Sequence, residues 1–234
     1  MISVIIPTYQ HAGTLARCLD SALAQTLAPG EIIVVDDGST DRTQDVLKPY
    51  LGRITLITQT NQGAQAARNR GWKAAHGDAL IFCDADVRMR PDMLEKMQAA
   101  LERHPEASYA YGAFRFGWKK FRGVPFEAKR LRQRNFVHTT SLVRAADFPG
   151  FDEQVKRLQD WDVWLTMLER GKTGVLVPET LFSVEIDGPS RIGSSWLPRL
   201  AYRLPWSVLG WMPPALKRYR QAREAIVRKH HLPV

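Results

Sequence analysis

Residues 31–41 read EIIVVDDGSTD and residues 77–86 read GDALIFCDAD, and in both stretches a short apolar run ends at a pair of aspartates. Two further apolar runs of similar length occupy residues 3–6 and 54–57. Apolar runs without alternation are typical of strands buried on both faces of a parallel sheet. The sequence therefore predicts four parallel strands, at residues 3–6, 32–35, 54–57 and 79–82.

Helical patterns lie between these runs. Leu15, Leu19, Ala22 and Leu23 form one apolar stripe, and residues 41–47 and 64–75 give two more helices. This βαβ order predicts an open α/β sheet with right-handed crossovers, in which ligands bind beyond the carboxyl ends of the strands. Further along, the patterns predict helices at 93–101 and 160–170 and strands at 109–116, 136–143, 175–177 and 181–186.

Length and composition indicate a soluble globular protein. The 234 residues are 44% hydrophobic and 24% charged, which excludes a disordered, collagen-like or disulfide-scaffold chain. Cys18 and Cys83 form no CxxC pair, so neither a zinc ribbon nor a disulfide framework is indicated and a reducing compartment fits. The first ten residues lack the basic region of a secretory signal, so none is expected.

The formal net charge of +9 is concentrated in residues 115–134 and 196–234, each with eight Lys and Arg residues against one Glu. Both segments also carry interleaved aromatic residues, a mixture that suits single-stranded nucleic acid or an anionic membrane surface. The second segment contains too many prolines and charges to span a bilayer. We predict that residues 191–234 form a basic aromatic helical tail on a membrane surface; packing of its tryptophans on the core is the alternative.

Carboxylates follow two of the predicted strands. Asp36 and Asp37 suit hydrogen bonds from a ribose or a base, or else a turn and a helix cap. Asp84 and Asp86 are two residues apart, so both carboxylates can face one hard cation such as Mg²⁺ or Mn²⁺ beside a diphosphate. Two exposed loop aspartates are the plainer interpretation of this pair.

Two further side chains suit chemistry at the same edge. Arg68 lies among alanines in residues 64–75, where a guanidinium can bind phosphate oxygens or a carboxylate. Asp160 opens the predicted helix at 160–170, as an N-cap or as a general base.

Together these stretches resemble the family 2 glycosyltransferases. The matching segments run in the family's order from Ser3 to about Gly171: SVIIPTY, EIIVVDDGSTD, NQGAQAARNRG, GDALIFCDAD, FPGFDE and LQDWDVWL. The resemblance implies a GT-A fold, with a Rossmann-like, mostly parallel sheet flanked by helices. It also implies inverting transfer of a sugar from a nucleotide donor. The domain would cover residues 1–190, with a nucleotide-sugar half at 1–104 and an acceptor and base half at 105–190.

The resemblance also implies roles for individual residues. Asp160 would be the general base, and Asp84 and Asp86 would form the DxD motif, with Asp86 the more direct metal ligand. Asp187 replaces a histidine that many members carry near the metal, and Gln159 stands where Glu is common. Trp161 would shape the acceptor pocket, and His138 is a second candidate for contact with the acceptor. The remaining nucleotide-sugar contacts would come from Pro7, Thr8, Tyr9, Asp36, Asp37, Asn61, Gly63 and Arg68.

The expected donor is a UDP-sugar, with GDP- and dTDP-sugars as alternatives, and the expected cofactor is Mg²⁺ or Mn²⁺. The acceptor would be a glycan or a lipid-linked hydroxyl in cell-envelope polysaccharide or glycolipid synthesis. We expect a cytoplasmic protein on the inner face of the cell membrane, placed there by segment 115–134 and the tail, with no nucleic-acid partner. Two alternatives are a non-catalytic membrane- or nucleic-acid-binding module and a sugar-phosphate nucleotidyltransferase. The second normally needs a Gly-rich, Lys- or Arg-bearing loop after the first strand, and PTYQHAGT has only Gly13 and no lysine or arginine.

Overall fold

The structure, a computed structural model, describes residues 1–185 and 212–233. Its first half contains the four predicted parallel strands, in the spatial order β3-β2-β1-β4. All side chains of β1 are buried, as expected for a strand covered on both faces. The strands are β1 (Ile2–Thr8), β2 (Glu31–Asp36), β3 (Thr55–Thr58) and β4 (Ala79–Phe82).

Helices cover both faces of these strands: α1 (Leu15–Leu23), α2 (Thr43–Leu47), α3 (Ala64–Ala74) and α4 (Met93–Arg103). The predicted apolar stripe of α1 packs into the core through Leu15, Leu19 and Ala22. On α3, a Cβ atom at Gly71 would lie 2.5 Å from Cγ2 of Ile5. The glycine therefore lets α3 lie directly against β1, which fixes the position of the side chains on this helix.

The sheet continues without a break into the second half of the chain. The later strands are β5 (Val87–Met89), β6 (Ala107–Phe116), β7 (Lys119–Phe121), β8 (Leu142–Arg144) and β9 (Thr173–Val184). The order beyond β4 is β8-β6-β9-β5, with β7 paired to β6. Strand β8 is antiparallel to both β4 and β6, whereas β6 and β9 are parallel. The predicted α/β class is confirmed, and the sheet is mixed beyond β4.

Two strand predictions in this half are wrong. Of the predicted strand at 136–143 only residues 142 and 143 pair with the sheet, as part of β8. Residues 173–184 form one long strand, β9, where two strands at 175–177 and 181–186 were predicted, and its register with β6 shifts at Gly112 and Ala113. These shifts accommodate Pro178, which cannot donate a ladder hydrogen bond.

Three helices complete the described chain: α5 (Ala128–Gln133), α6 (Gln159–Glu169) and α7 (Pro214–Lys229). Trp161 and Trp164 of α6 are buried in the core. At the end of α7, Ile226 and Leu232 are buried in the same cluster, so this part of the predicted tail packs on the core. Residues 191–211 of that tail lie outside the described residues. Within the described ranges, no helix has the length and apolar character needed to cross a bilayer.

Candidate active site

The carboxyl ends of β1, β2 and β4 open onto one edge of the sheet. Thr8 is in register with Asp36, and Cys83, just after β4, donates its backbone N–H to the carbonyl of Ile5 at 2.9 Å. The loop after β1 is tied to the loop after β2, because Oε1 of Gln10 accepts hydrogen bonds from the backbone N–H groups of Thr40 and Asp41 at 3.1 and 2.9 Å. The two loops form one connected wall of the site.

Asp36 is fully buried and organises the turn that follows β2. One carboxylate oxygen accepts a hydrogen bond from the backbone N–H of Ser39 at 3.0 Å, and the other accepts one from the Gln44 side chain. Of the two roles predicted for Asp36, a ligand contact or a turn, this arrangement corresponds to the turn. Contact with a ribose or a base would require one of these engaged oxygens to accept a further hydrogen bond.

Asp37 holds the loop that leads into α3. One of its oxygens accepts from Nε2 of Gln59 at 2.8 Å and from the backbone N–H of Gln62 at 2.9 Å, and the other accepts from the backbone N–H of Gly63 at 2.8 Å. Gly63 has a φ of 96°, a conformation that favours glycine, and it caps α3. A single buried carboxylate therefore sets the shape of residues 59–63.

Arg68 reaches from α3 to the end of β4. Its Nη2 lies 2.5 Å from a carboxylate oxygen of Asp84, and its side chain also lies over the ring of Phe151 at 5.4 Å. The residue is only 3% exposed, and its Nε and Nη1 atoms have no hydrogen-bond partner within the described residues. A buried guanidinium with two unused nitrogens has capacity for an anionic ligand.

Asp84 is kept ionised by its neighbours. Burial raises the pKa of its carboxyl group, but the charges of Arg68 and His138 and the hydrogen bond from Arg68 outweigh burial, so the pKa lies below its ordinary value. About a third of the Asp84 side chain is exposed, so the carboxylate also faces solvent.

Asp160 lies in the first turn of α6. The residue that precedes this helix, Leu158, has a left-handed backbone conformation with a φ of 59°. The two carboxylate oxygens of Asp160 accept hydrogen bonds from the backbone N–H of Trp161 at 2.9 Å and from Nδ2 of Asn135 at 2.7 Å. Burial raises the pKa of Asp160 to about 6 against the lowering effect of the backbone hydrogen bonds. The charge of Arg68 lowers this pKa and that of Asp84 raises it, so Asp160 lies within electrostatic range of the Arg68–Asp84 ion pair.

His138 borders the same cluster. Its ring lies against the rings of Phe114 and Phe182, with centroid distances of 4.7 and 5.0 Å. Burial lowers the pKa of His138 to about 4, although the charge of Asp84 opposes the shift. Its Nδ1 lies 3.0 Å from the backbone N–H of Thr140 and accepts that hydrogen bond, so the neutral ring carries its proton on Nε2.

The other predicted contacts differ in accessibility. Pro7 and Thr8 are buried at the end of β1, and the Thr8 hydroxyl has no hydrogen-bond partner among the described residues. Tyr9 and Asn61 are exposed. Trp161 is buried, with its indole N–H donated to the carbonyl of Leu131 at 2.7 Å, so its side chain supports the site from behind.

The aspartates after β4 suit a divalent cation that shares its ligands with a diphosphate. Asp84 and Asp86 supply hard oxygen donors, and Mg²⁺ and Mn²⁺ complete such sites with water and phosphate oxygens. No cluster of three or more His, Cys, Asp or Glu side chains within residues 1–185 and 212–233 is placed to hold a metal alone. Asp187, the predicted third ligand, lies outside the described residues. The donor set fits a cation held jointly with a substrate.

Sequence reasoning missed three residues that support the site. Asn135 donates to Asp160, and no spacing or motif singles it out. Asn69 of α3 exchanges two hydrogen bonds at 2.8 Å with the backbone of Phe151, and Gln65 donates to the carbonyl of Val155 at 2.6 Å. These amides hold the loop that precedes α6 against α3; their spacing of four residues on one helix face was the available signal.

A mixed α/β sheet with carboxylates at the open end of its parallel strands is the arrangement of a glycosyltransferase-type domain. Residues 3–154 match the family described as Glycosyl transferase family 2, which is well over half of the chain. The chain belongs to this family of transferases, as its sequence motifs predicted.

Curated relatives carry the same designation. A PGL/p-HBAD biosynthesis glycosyltransferase of Mycobacterium bovis (strain BCG / Pasteur 1173P2) is 36% identical over 172 residues, which are 69% of this chain and 67% of the relative. The putative glycosyltransferase EpsE of Bacillus subtilis (strain 168) is 32% identical over 203 residues, covering 80% of this chain and 73% of the relative.

Solved structures share the fold. Residues 1–349 of S. aureus TarS in complex with UDP-GlcNAc give a TM-score of 0.70 at 21% identity, covering 84% of this chain and 61% of that chain. The mannosyltransferase PcManGT from Pyrobaculum calidifontis, in complex with GDP-Man and Mn²⁺, gives a TM-score of 0.68 at 20% identity. The match covers 96% of this chain and 69% of PcManGT. The chain therefore spans less than two thirds of the TarS fragment, and at these identities the likeness shows the fold.

Proposed function

We propose that this protein transfers a sugar, with inversion, from a nucleoside-diphosphate sugar to an acceptor hydroxyl, with Asp160 as the general base. The observation that carries the proposal is the position of Asp160 within electrostatic reach of Arg68 and Asp84, with its pKa raised to about 6. A base works best when its pKa lies near the working pH. At neutral pH this carboxylate is mainly ionised, yet it binds a proton more readily than an ordinary aspartate does.

In the proposed reaction, the acceptor hydroxyl gives its proton to a carboxylate oxygen of Asp160 as the acceptor oxygen attacks the anomeric carbon. The bond from that carbon to the diphosphate oxygen breaks, and its electron pair leaves with the diphosphate. Attack and departure on opposite faces invert the configuration without a covalent enzyme intermediate. The two unused nitrogens of Arg68 are suited to donate hydrogen bonds to the oxygens of the leaving group.

Asp84 and Asp86 are the residues that would hold Mg²⁺ or Mn²⁺. When bound, such a cation offsets the negative charge that builds on the departing diphosphate. The ion pair with Arg68 keeps Asp84 ionised and therefore ready to act as a ligand. The complex of PcManGT with GDP-Man and Mn²⁺ supports this use of a divalent cation.

The donor we favour is a UDP-sugar, with GDP- and dTDP-sugars as alternatives. Structural neighbours in complex with UDP-GlcNAc and with GDP-Man support a nucleotide-sugar donor in general. For the acceptor we propose a glycan or lipid-linked hydroxyl in the synthesis of cell-envelope polysaccharide or glycolipid, at the cytoplasmic face of the membrane. The mycobacterial relative is named for PGL/p-HBAD biosynthesis, which supports a role in a biosynthetic glycosylation.

The test is the Asp160→Asn variant, after a screen of UDP-, GDP- and dTDP-sugars by thermal shift with Mn²⁺ has identified the donor. We expect donor affinity to stay within about twofold and transfer to fall by about 10²–10⁴, the usual contribution of a positioned base. The matched control is Asp45→Asn, at an exposed aspartate of α2, which should transfer at the wild-type rate.

Near-normal transfer by Asp160→Asn would remove Asp160 from its role. Donor hydrolysis by the wild-type protein, measured with and without Mn²⁺, separates an enzyme from a binding module. If the wild-type protein neither binds nor hydrolyses any of the three donors, the proposal of a catalytic domain fails.

A further inference from the structure

The hairpin formed by β6 and β7 exposes a tryptophan at its tip. Trp118 is 89% exposed, against 57% for Met1, 52% for Leu51 and 44% for Tyr9, the other exposed large hydrophobic residues of the described chain. A tryptophan buries much apolar surface when it packs, so its full exposure at a hairpin tip contributes nothing to the core. An exposed indole ring beside several cations suits a contact made outside the folded domain.

The hairpin and the residues that follow it are rich in positive charge. Of the eight Lys and Arg residues in segment 115–134, only Arg130 is partly buried, and it pairs with Glu127 at 3.2 Å. The other seven are exposed: Arg115, Lys119, Lys120, Arg122, Lys129, Arg132 and Arg134. Four of the seven, Arg115, Lys119, Lys120 and Arg122, lie on or directly beside the hairpin strands, so Trp118 has cations on both sides of it in the chain.

The hairpin is anchored on one face. Phe114 and Phe121 are opposite each other, and their rings stack with centroids 4.7 Å apart. Phe114 also stacks on Phe182 of β9 at 5.2 Å and contacts His138 at 4.7 Å. Because His138 borders the carboxylate cluster, a surface bound at the tip would be held in a fixed relation to the candidate active site.

We propose that the β6–β7 hairpin docks on the surface of an anionic lipid bilayer. The indole ring of Trp118 would lie at headgroup depth, where amphipathic aromatic rings are favoured, and the surrounding cations would meet lipid phosphates. The hairpin is far too short to cross a bilayer, so the contact is interfacial. This inference concerns a surface and does not depend on the identity of the sugar donor.

Co-sedimentation with vesicles tests the proposal, using vesicles of phosphatidylcholine with about 30% phosphatidylglycerol and vesicles of phosphatidylcholine alone. We expect the wild-type protein to bind the anionic vesicles, and less so at high salt. Trp118→Ala should lower the affinity roughly tenfold through loss of the buried ring. Lys120→Glu/Arg122→Glu should lower it at least about twentyfold, since each cation near the surface contributes about fivefold.

The matched controls lie beside β3, at one edge of the sheet. In the sheet, β2, β1, β4 and β8 lie between β3 and the hairpin strand β6. Leu51→Ala removes another exposed apolar side chain, and Lys48→Glu/Arg53→Glu reverses two exposed cations there. Both should bind vesicles as the wild-type protein does. The midpoint of thermal unfolding, measured without any ligand, verifies that each variant remains folded.

Three results would overturn the proposal. One is equal binding of the wild-type protein to neutral and anionic vesicles. Another is vesicle binding that falls as much in the controls as in the hairpin variants. The third is hairpin-dependent binding to a single-stranded oligonucleotide without binding to vesicles, which would assign this surface to a nucleic acid.

Discussion

Removal of the hydrogen bond that Asn135 donates to Asp160 should change the pH at which the protein works. In Asn135→Ala the carboxylate loses a donor at 2.7 Å while it stays partly buried beside the charges of Arg68 and Asp84. A donor that stabilises the ionised form of an acid lowers the pKa of that acid. We therefore expect the pKa of Asp160 in this variant to rise above the value of about 6 in the wild-type protein.

The size of the shift follows from the strength of the bond. A hydrogen bond to a charged group contributes about 1.5–3 kcal/mol, and one pKa unit corresponds to about 1.4 kcal/mol. The pKa should therefore rise by about one to two units. At about pH 7 the ionised fraction of Asp160 would fall from about nine tenths to between about a half and a tenth, so kcat/KM would fall about twofold to tenfold.

The assay is the pH profile of kcat/KM, followed by release of the nucleoside diphosphate with the donor identified in the screen. In Asn135→Ala the acid limb should move to higher pH while the rate at high pH approaches that of the wild-type protein. The control Gln133→Ala removes an exposed amide two residues away at the end of α5 and should leave the limb in place. An unchanged acid limb in Asn135→Ala, or an equal loss of rate at every pH, would refute the assignment of that limb to Asp160.

Three further predictions concern the support of the site. Asp37→Ala removes the acceptor for two backbone N–H groups and one side-chain amide of the loop before α3. The free energy of unfolding, measured in urea, should fall by about 2–4 kcal/mol, and calorimetry should show weaker donor binding. Gly71→Val places a side chain against Ile5 and should destabilise the fold by about 1–3 kcal/mol, seen as a lower midpoint in urea. Burial lowers the pKa of His230, but hydrogen bonds and the charges of Asp162 and Glu169 outweigh burial and raise it. The stabilisation by the charged ring is therefore complete below pH 6.5 and is lost as the pH rises through the higher folded value, so the difference in unfolding free energy between wild type and His230→Ala should narrow in alkaline buffer.

The parallel half of the fold could be predicted because a strand buried on both faces has apolar residues at consecutive positions. Uninterrupted apolar runs such as that of β4, followed at once by aspartates, give both the strand and the edge at which its side chains meet. The strand-end rule also placed Asp84 at the edge of the sheet, where it pairs with Arg68; the shared site with Asp160 stays a prediction.

The strands of the second half were harder to predict from the sequence, because side chains there compete with the sheet for backbone hydrogen bonds. In the segment predicted as a strand at 136–143, Asn135 accepts from the N–H of Val137 and His138 accepts from the N–H of Thr140. The Ser141 hydroxyl donates to the carbonyl of His138. These local bonds replace ladder bonds, and neither apolarity nor alternation reveals them.

The role of Asp36 illustrates a second limit. A pair of adjacent aspartates after a strand looks the same whether the side chains meet a ligand or a backbone N–H group. Only the geometry shows that Asp36 is engaged by Ser39 and Gln44 within the turn and that Asp37 organises the neighbouring loop.

The contact between α7 and α6 has a practical consequence for the choice of expression boundaries. Asp162, two residues after Asp160, is buried and bound by His230 at 2.8 Å and by Lys229 at 2.7 Å. A version of the protein cut before Lys229 would keep every described strand but lose the ion pairs behind the first turn of α6, which carries Asp160. With Asp160 as the proposed base, such a fragment should still bind a nucleotide but lose transfer, so a crystal structure of it would describe a binding domain instead of a working enzyme.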